Sequence, residues 1–153
     1  MRAVVQRVTS ASVSVLGEVR KIGKGLVIFV GVSDDDEDKD SSYLVNKIVN
    51  LRIFPDGEGH FDLSAVDTQA QLLVISQFTL YGDTRKGRRP SFTGAAAPEK
   101  ARVIFEKTLE LFKETGLTVE TGQFQQSMLV DLQNDGPVTI ILDSGDKNWP
   151  RRA

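Results

Sequence analysis

With 153 residues, 40% of them hydrophobic and 26% charged, the chain has the composition of an ordinary globular domain, long enough to bury about 70% of its unfolded surface in one core. The absence of cysteine excludes disulfides, thiolate nucleophiles and Cys-ligated zinc, and the single histidine, His60, excludes multi-histidine metal sites. The net charge of −2 argues against a nucleic-acid partner until its distribution is read: residues 34–40 (DDDEDKD) hold six acids and one lysine, and removing them from totals of 21 and 19 leaves 15 acids against 18 bases, enough for a local phosphate-binding patch.

No apolar run approaches the roughly 18 residues that span a membrane, and the N-terminal MRAVVQRV lacks a secretory pattern. The expectation is one domain over residues 1–153, cytoplasmic, with no membrane partner. Residues 4–8, 11–15 and 19–22 read as short strands, with Leu16, Gly17 and Glu18 as a hairpin turn. Gly25 opens the continuous apolar run 26–30, the pattern of a strand buried on both faces. The acidic run precedes a helix over 38–52 that places Leu44, Ile48 and Leu51 on one face with Val45 beside them, and acids at a helix N-terminus complement its dipole. Asp34, Asp36 and Asp38 alternate as in a calcium loop, but Lys39 stands where that loop needs glycine and Val45 where it needs a bidentate glutamate. Calcium is therefore rejected.

Ile53 and Phe54 lead into a turn at 55–59, and His60 follows it as a surface residue at a hairpin edge. Residues 71–77 form the next strand. A second helix is expected over 98–115, with Pro98 at its first position and Gly116 just past its end. Ala101, Ile104, Phe105, Thr108 and Phe112 make its inner stripe. Strands at 119–121, 127–132 and 138–142 complete the chain, with Asn134, Asp135, Gly136 and Pro137 turning between the last two. Residues 144–153 read as a polar tail anchored by Trp149.

Residues 76–92, SQFTLYGDTRKGRRPSF, are the most informative stretch. A buried strand delivers Ser76, Gln77 and Thr79 to a surface, and four cations follow within five residues: Arg85, Lys86, Arg88 and Arg89. Gly82 and Gly87 have phosphate-loop spacing, but Arg88 and Arg89 replace the required lysine and hydroxyl, which excludes a nucleotide-hydrolysing loop. Arginine forks beside Tyr81 and Phe92 favour RNA instead. Neither Ser76 nor Thr79 has an evident base, so direct nucleophilic attack is disfavoured; main-chain N–H groups at the strand end suit an oxyanion hole better. At Gly136-Pro137 a trans bond is the default. A cis bond would turn the neighbouring carbonyls nearly parallel, a paired acceptor for a primary ammonium.

With SQFTLYGDTRKGRRPSF and NDGPVT both in view, the chain closely resembles the D-aminoacyl-tRNA deacylases, also called D-tyrosyl-tRNA deacylases, from MRAVVQRV to NDGPVTIILDS. The resemblance implies hydrolysis of the ester joining a D-amino acid, or mischarged glycine, to the terminal adenosine of tRNA. It implies no cofactor and no metal, and a homodimer whose active sites lie at the subunit interface. Ser76, Gln77, Phe78 and Thr79 match the motif lining the ester pocket. Gly136 and Pro137 match the Gly-cis-Pro motif that one subunit inserts into the other's pocket, and Arg7 matches the arginine that holds it. Met128 is expected to border the terminal adenosine, and Arg85, Lys86, Arg88 and Arg89 to dock the tRNA. The implied architecture is mixed α/β: three layers, β/β/α, with two curved sheets forming a barrel-like core.

The same resemblance explains chirality. With the amino group on the Gly-Pro carbonyls and the ester on the strand-end amides, a D side chain points to solvent and an L side chain meets main chain, while glycine has nothing to collide. In the family the substrate's own 2′-hydroxyl assists hydrolysis, which leaves Thr79 as a pocket residue. One departure stands out: Gln125 and Gln126 occupy positions where the family often has Gly-Ala, which bears on adenosine recognition. Two rival readings remain: a non-catalytic tRNA-binding module, and a metal-independent esterase for small D-amino acid esters.

Overall fold

A single long strand, β1 (Arg2–Val15), organises the molecule, which is described over residues 1–151 by a computed structural model. Residues 2–8 of β1 pair antiparallel with β3 (Gly25–Gly31), and residues 11–15 pair with β2 (Glu18–Ile22). Both stretches pair along the other edge with β8 (Leu129–Asp143). The inward phase changes between Arg7 and Val8: Ala3 and Val5 serve one core, Val8, Ala11 and Val13 another. The two strands expected at 4–8 and 11–15 are thus one strand with irregular register, bent from one core into the next. The β1–β2 hairpin turns at Leu16 and Gly17, both at positive φ (48° and 79°), as a two-residue turn matching strand twist requires.

Beyond β3 the sheet continues through parallel pairings to β6 (Gln71–Ser76) and β7 (Val119–Thr121). Between β3 and β6 lie a two-stranded ribbon, β4 (Phe54–Pro55) with β5 (Phe61–Leu63), and a single helical turn, α2 (Ala65–Thr68). The β2 end curls back: Arg20 Nη1 donates to the Thr121 carbonyl at 2.8 Å, and the Gly23 amide to Gln71 Oε1 at 2.7 Å. The two sheets expected from the sequence are therefore, among the described residues, one six-stranded sheet bent into a nearly closed barrel, plus the small ribbon.

Helices α1 (Asp38–Asn50) and α3 (Pro98–Glu114) cover the outside of this sheet. The Asp40 carboxylate caps α1 by accepting from the Glu37 amide at 3.0 Å; the helix ends two residues before the expected Arg52 because Leu51 turns extended (φ −60°, ψ 126°). Helix α3 begins at Pro98 and stops before Gly116, whose φ is +81°. Its inner stripe buries Ile104, Phe105, Thr108, Leu109 and Phe112, and Thr108 Oγ1 donates to Ser41 Oγ of α1 at 2.9 Å.

Both core strands are buried on both faces, as their continuous apolar sequence dictates. Leu26, Ile28, Leu72 and Val74 face the helices, whereas Val27, Leu73 and Ile75 fill the barrel with Val8, Val13 and Ile22. The acidic run is only partly a dipole complement. Asp36 is buried and pairs with the Met1 amino group, and Asp40 is bonded to Lys147 Nζ at 2.7 Å.

Two expectations for the C-terminal part are corrected. Asn134, Asp135, Gly136 and Pro137 do not reverse the chain; they bulge out of β8, which pairs with β1 on either side. Residues Ser144–Asn148 form a 3-10 turn held by the Met1 amino group on Ser144 Oγ (2.6 Å) and by Lys147, whereas Trp149, 76% exposed, anchors nothing. Residues 152 and 153 of the expected tail lie outside the described residues. Among the described residues no helix is long and apolar enough to cross a membrane.

Candidate active site

Strand β6 ends where its pairing partner does. The Gln77 amide still donates to the Val30 carbonyl (2.8 Å), after which a 3-10 turn forms over Phe78–Tyr81. Such a turn has no internal carbonyl for its first amides, and among the described residues the N–H groups of Phe78 and Thr79 have no backbone acceptor. Gly31 makes room for this turn: a Cβ there would lie 3.0 Å from the Gln77 carbonyl oxygen and 3.2 Å from Leu80 and Tyr81. Arg2 clamps it from outside, donating to the Leu80 carbonyl (3.1 Å) and lying 4.6 Å over the Tyr81 ring.

Ser76, Gln77 and Phe78 form one wall of a cavity of about 730 Å³. Phe92 joins them, its ring 5.1 Å from that of Phe78 in an edge-to-face pair. The opposite wall is the start of α3, at Ala97, Pro98 and Ala101, with residues 124–128 completing it. Met128 lines the cavity; a Cβ on Gly122 would fall 2.2 Å from its sulfur, so that glycine gives it passage. None of the cavity-lining residues is titratable.

Thr79 lies at the rim and is exposed, its Oγ1 accepting from Gln77 Nε2. His60 is elsewhere, exposed beside Asp56 and Glu58 at the β4–β5 ribbon. Burial, with the nearby Asp36 carboxylate, pushes the Tyr81 hydroxyl up to about 12, so it is no base at neutral pH. With Arg2 on its ring Tyr81 is covered, whereas Phe78 and Phe92 are exposed. Among the described residues no group of three His, Asp or Glu side chains could hold a metal.

The cationic loop is closed at its base by Asp83 and Ser91, whose amides and carbonyls bond reciprocally (2.7 and 2.9 Å). Its four cations are not equivalent. Arg85 grips Asp83 (Nη2 to Oδ2, 2.6 Å), and this bond holds the Asp83 carboxyl below its usual range. Among the described residues Lys86, Arg88 and Arg89 make no ion pair and project into solvent.

Gly136 and Pro137 are exposed, joined by a cis bond, and absent from this cavity. Arg7, buried at the bend of β1, holds the bulge: its Nε donates to the Asp135 carbonyl (3.0 Å) and its Nη1 to the Ile53 carbonyl (2.7 Å). Gly136 has φ +131°, and a Cβ on it would lie 2.7 Å from a Val138 methyl. Ser76 is level with Val30 and Ala3, whereas the bulge is level with Arg7 and Leu26. Four residues along the strands and three strands across separate them by about 20 Å along the sheet. One chain therefore brings Ser76, Gln77, Phe78 and Met128 together, and Arg7 with Gly136 and Pro137, but not the two groups.

Apart from Met128, Gln125 and Gln126, the far wall was not read from the sequence. Phe124 and the small residues Ala95, Ala96 and Ala97 carry no chemical motif; the only signal was a run of small side chains before the helix-opening Pro98.

The sequence profile of the D-Tyr-tRNA(Tyr) deacylase family matches residues 4–143. The chain belongs to this family. Arg7, Ser76, Gln77, Phe78, Thr79, the loop cations, Met128, Gly136 and Pro137 all fall within the part that matches the D-Tyr-tRNA(Tyr) deacylases. The D-aminoacyl-tRNA deacylase of Halothermothrix orenii is 57% identical over 145 residues, covering 94% of this chain and 97% of that one. A Dehalococcoides mccartyi D-aminoacyl-tRNA deacylase is 54% identical over 152 residues, 99% of each. Among solved structures, the c-Myc DNA Unwinding Element Binding Protein superposes with a TM-score of 0.88 at 43% identity, covering 94% of this chain and 98% of that one. A probable eukaryotic D-amino acid tRNA deacylase, 16% identical, shares the fold with a TM-score of 0.81 over 92% of this chain and 97% of its own.

Proposed function

We propose that this deacylase-family chain hydrolyses the ester between a D-amino acid and the terminal adenosine of tRNA, releasing both, and works as a homodimer in the cytoplasm. The observation that carries the reading is the separation of two complementary half-sites. An uncharged cavity with free amides at its lip lies about 20 Å along the sheet from an exposed Gly136-Pro137 bulge fixed by Arg7. Each chain offers a pocket and a plug that do not meet within it, as expected if a second copy supplies the plug.

In that dimer the Phe78 and Thr79 amides hold the ester carbonyl and stabilise the charge it gains as water adds. The bulge's carbonyls accept from the substrate's ammonium group. Two fixed points then orient the α-carbon: a D side chain leaves toward solvent, an L side chain meets main chain, and glycine passes. The lack of a titratable group in the cavity and the engagement of Thr79 by Gln77 favour assistance by the substrate's 2′-hydroxyl over a protein nucleophile. Lys86, Arg88 and Arg89 take tRNA phosphates beyond the aromatic pair of Phe78 and Phe92.

The test is release of amino acid from D- and L-tyrosyl-tRNA by purified protein with EDTA present. Release from the D-substrate alone is expected. Stable D-tyrosyl-tRNA with retained tRNA binding would leave a non-catalytic module, and equal release from both hands would refute the chiral pocket.

A further inference from the structure

Arg102, on the first turns of α3, is flanked on its own helix by Glu99 three residues before and Glu106 four residues after, the spacings at which helical ion pairs form. It pairs with neither among the described residues. Its guanidinium instead lies 4.7 Å over the Phe124 ring and donates from Nη2 to Gln125 Oε1 at 3.3 Å. Both partners line the cavity, and Gln125 holds a left-handed backbone (φ 62°) that presents its side chain to Arg102. The result is a cation at the rim of a cavity whose own lining carries no charge. A guanidinium has five donors in a plane; one is used here, and a fork facing solvent beside an uncharged pocket suits a phosphate.

Building on the deacylase reading, we propose that Arg102 binds the phosphate on the 5′ side of the terminal nucleoside whose ester is cleaved. It is a contact separate from the Lys86, Arg88 and Arg89 loop, since it stands on α3 next to Ala101 and is held by Phe124 and Gln125, which line the cavity. A nucleoside with its esterified 3′-oxygen at the Ser76 lip spans the cavity, and its 5′-oxygen then lies toward the α3 wall. Phe124 and Gln125 hold the guanidinium in place, so the substitution of Gln125 for a small residue gains a role: it supplies the acceptor that aims Arg102.

The experiment uses two non-hydrolysable ligands, 3′-amide-linked D-tyrosyl adenosine with and without a 5′-phosphate, titrated calorimetrically into the full chain and its Arg102→Gln and Arg102→Lys variants. The phosphate is expected to tighten binding to the unaltered protein about tenfold, a usual increment for one charge-assisted contact. Arg102→Gln should abolish that gain while leaving affinity for the phosphate-free ligand unchanged, and Arg102→Lys should restore part of it. A phosphate gain that survives in Arg102→Gln overturns the proposal. So does equal weakening of both ligands, which would mean that Arg102 only props the cavity wall. Failure of both ligands to bind the unaltered protein, with D-tyrosyl-tRNA left intact, would refute the deacylase reading and the proposal with it, an outcome distinct from normal binding with no phosphate gain.

Discussion

Arg7 Nε donates to the main-chain oxygen of Asp135 at 3.0 Å across 128 residues of sequence. Its Nη1 simultaneously serves the buried Ile53 carbonyl, so one side chain ties the bend of β1 to the bulge of β8 and to the entry of the ribbon. Replacing it strands the buried Ile53 acceptor and leaves the Asp135 carbonyl to water, and a buried unpartnered polar group costs about 1–3 kcal/mol. Arg7→Ala should lower unfolding free energy by about 2–4 kcal/mol in urea titrations. Deacylation should fall further than the unfolded fraction explains. Unchanged deacylation at full folding would refute a role for the held bulge.

Thr79 offers a sharper test of chemistry. Its hydroxyl is exposed and bonded only within the lip, and loss of one neutral hydrogen bond is worth about 1 kcal/mol. Thr79→Ala should therefore keep D-tyrosyl-tRNA deacylation within about tenfold of the unaltered protein. Complete loss, with normal folding and tRNA binding, would make the hydroxyl the nucleophile.

The loop cations should divide into two groups. Alanine at Lys86, Arg88 or Arg89 should raise KM with little change in kcat, and should reduce the slope of log K against log salt by about 0.7 per lost phosphate contact. Arg85→Ala should act differently, releasing Asp83 and loosening the base of the loop. A salt slope that falls equally for all four would show that the Asp83 pair opens in the complex.

Stability should respond to acid through Asp40. Burial alone would push its carboxyl up, but bonds from Lys147, the Glu37 amide and Ser144, with the Lys147 charge, outweigh it and bring it down to about 2. A carboxyl lower in the folded than in the unfolded state stabilises above its unfolded value of 3.8. That contribution is lost as pH falls from about 4 to about 2. Urea midpoints should drop across this window, and Asp40→Asn should flatten that part of the profile while lowering stability at pH 7.

What the sequence disclosed was governed by range. Helix limits follow from local chemistry, and Pro98, Gly116 and the acids before α1 marked them within two residues. Strands β3 and β6 were legible because burial on both faces leaves a continuous apolar run. The β1 bend was not, since a phase change between Arg7 and Val8 looks the same as two strands. The bulge read as a turn because Asn, Asp, Gly and Pro favour both, and only pairing with β1 on each side separates them. The strand-end lip declared itself through Ser76, Gln77 and Thr79, whereas the alanines and Phe124 that also line the cavity are ordinary residues until the fold gathers them there.

Strands β3 and β6 give alternate residues to the helical layer and to the barrel, so neither body of side chains can melt while the other stays ordered. Ser76 is the last residue of β6, and the lip is bonded to the end of β3 through Gln77 and Val30. The Gln77 amide is therefore expected to exchange more slowly than the exposed turn that follows it. The Gly136-Pro137 bulge is exposed and is held by Arg7 and by Asn134, whose Oδ1 accepts from the Val138 amide at 2.8 Å. On the proposed dimer reading, substrate entry is a matter of displacing the partner copy's bulge, with the strand end as a fixed anvil.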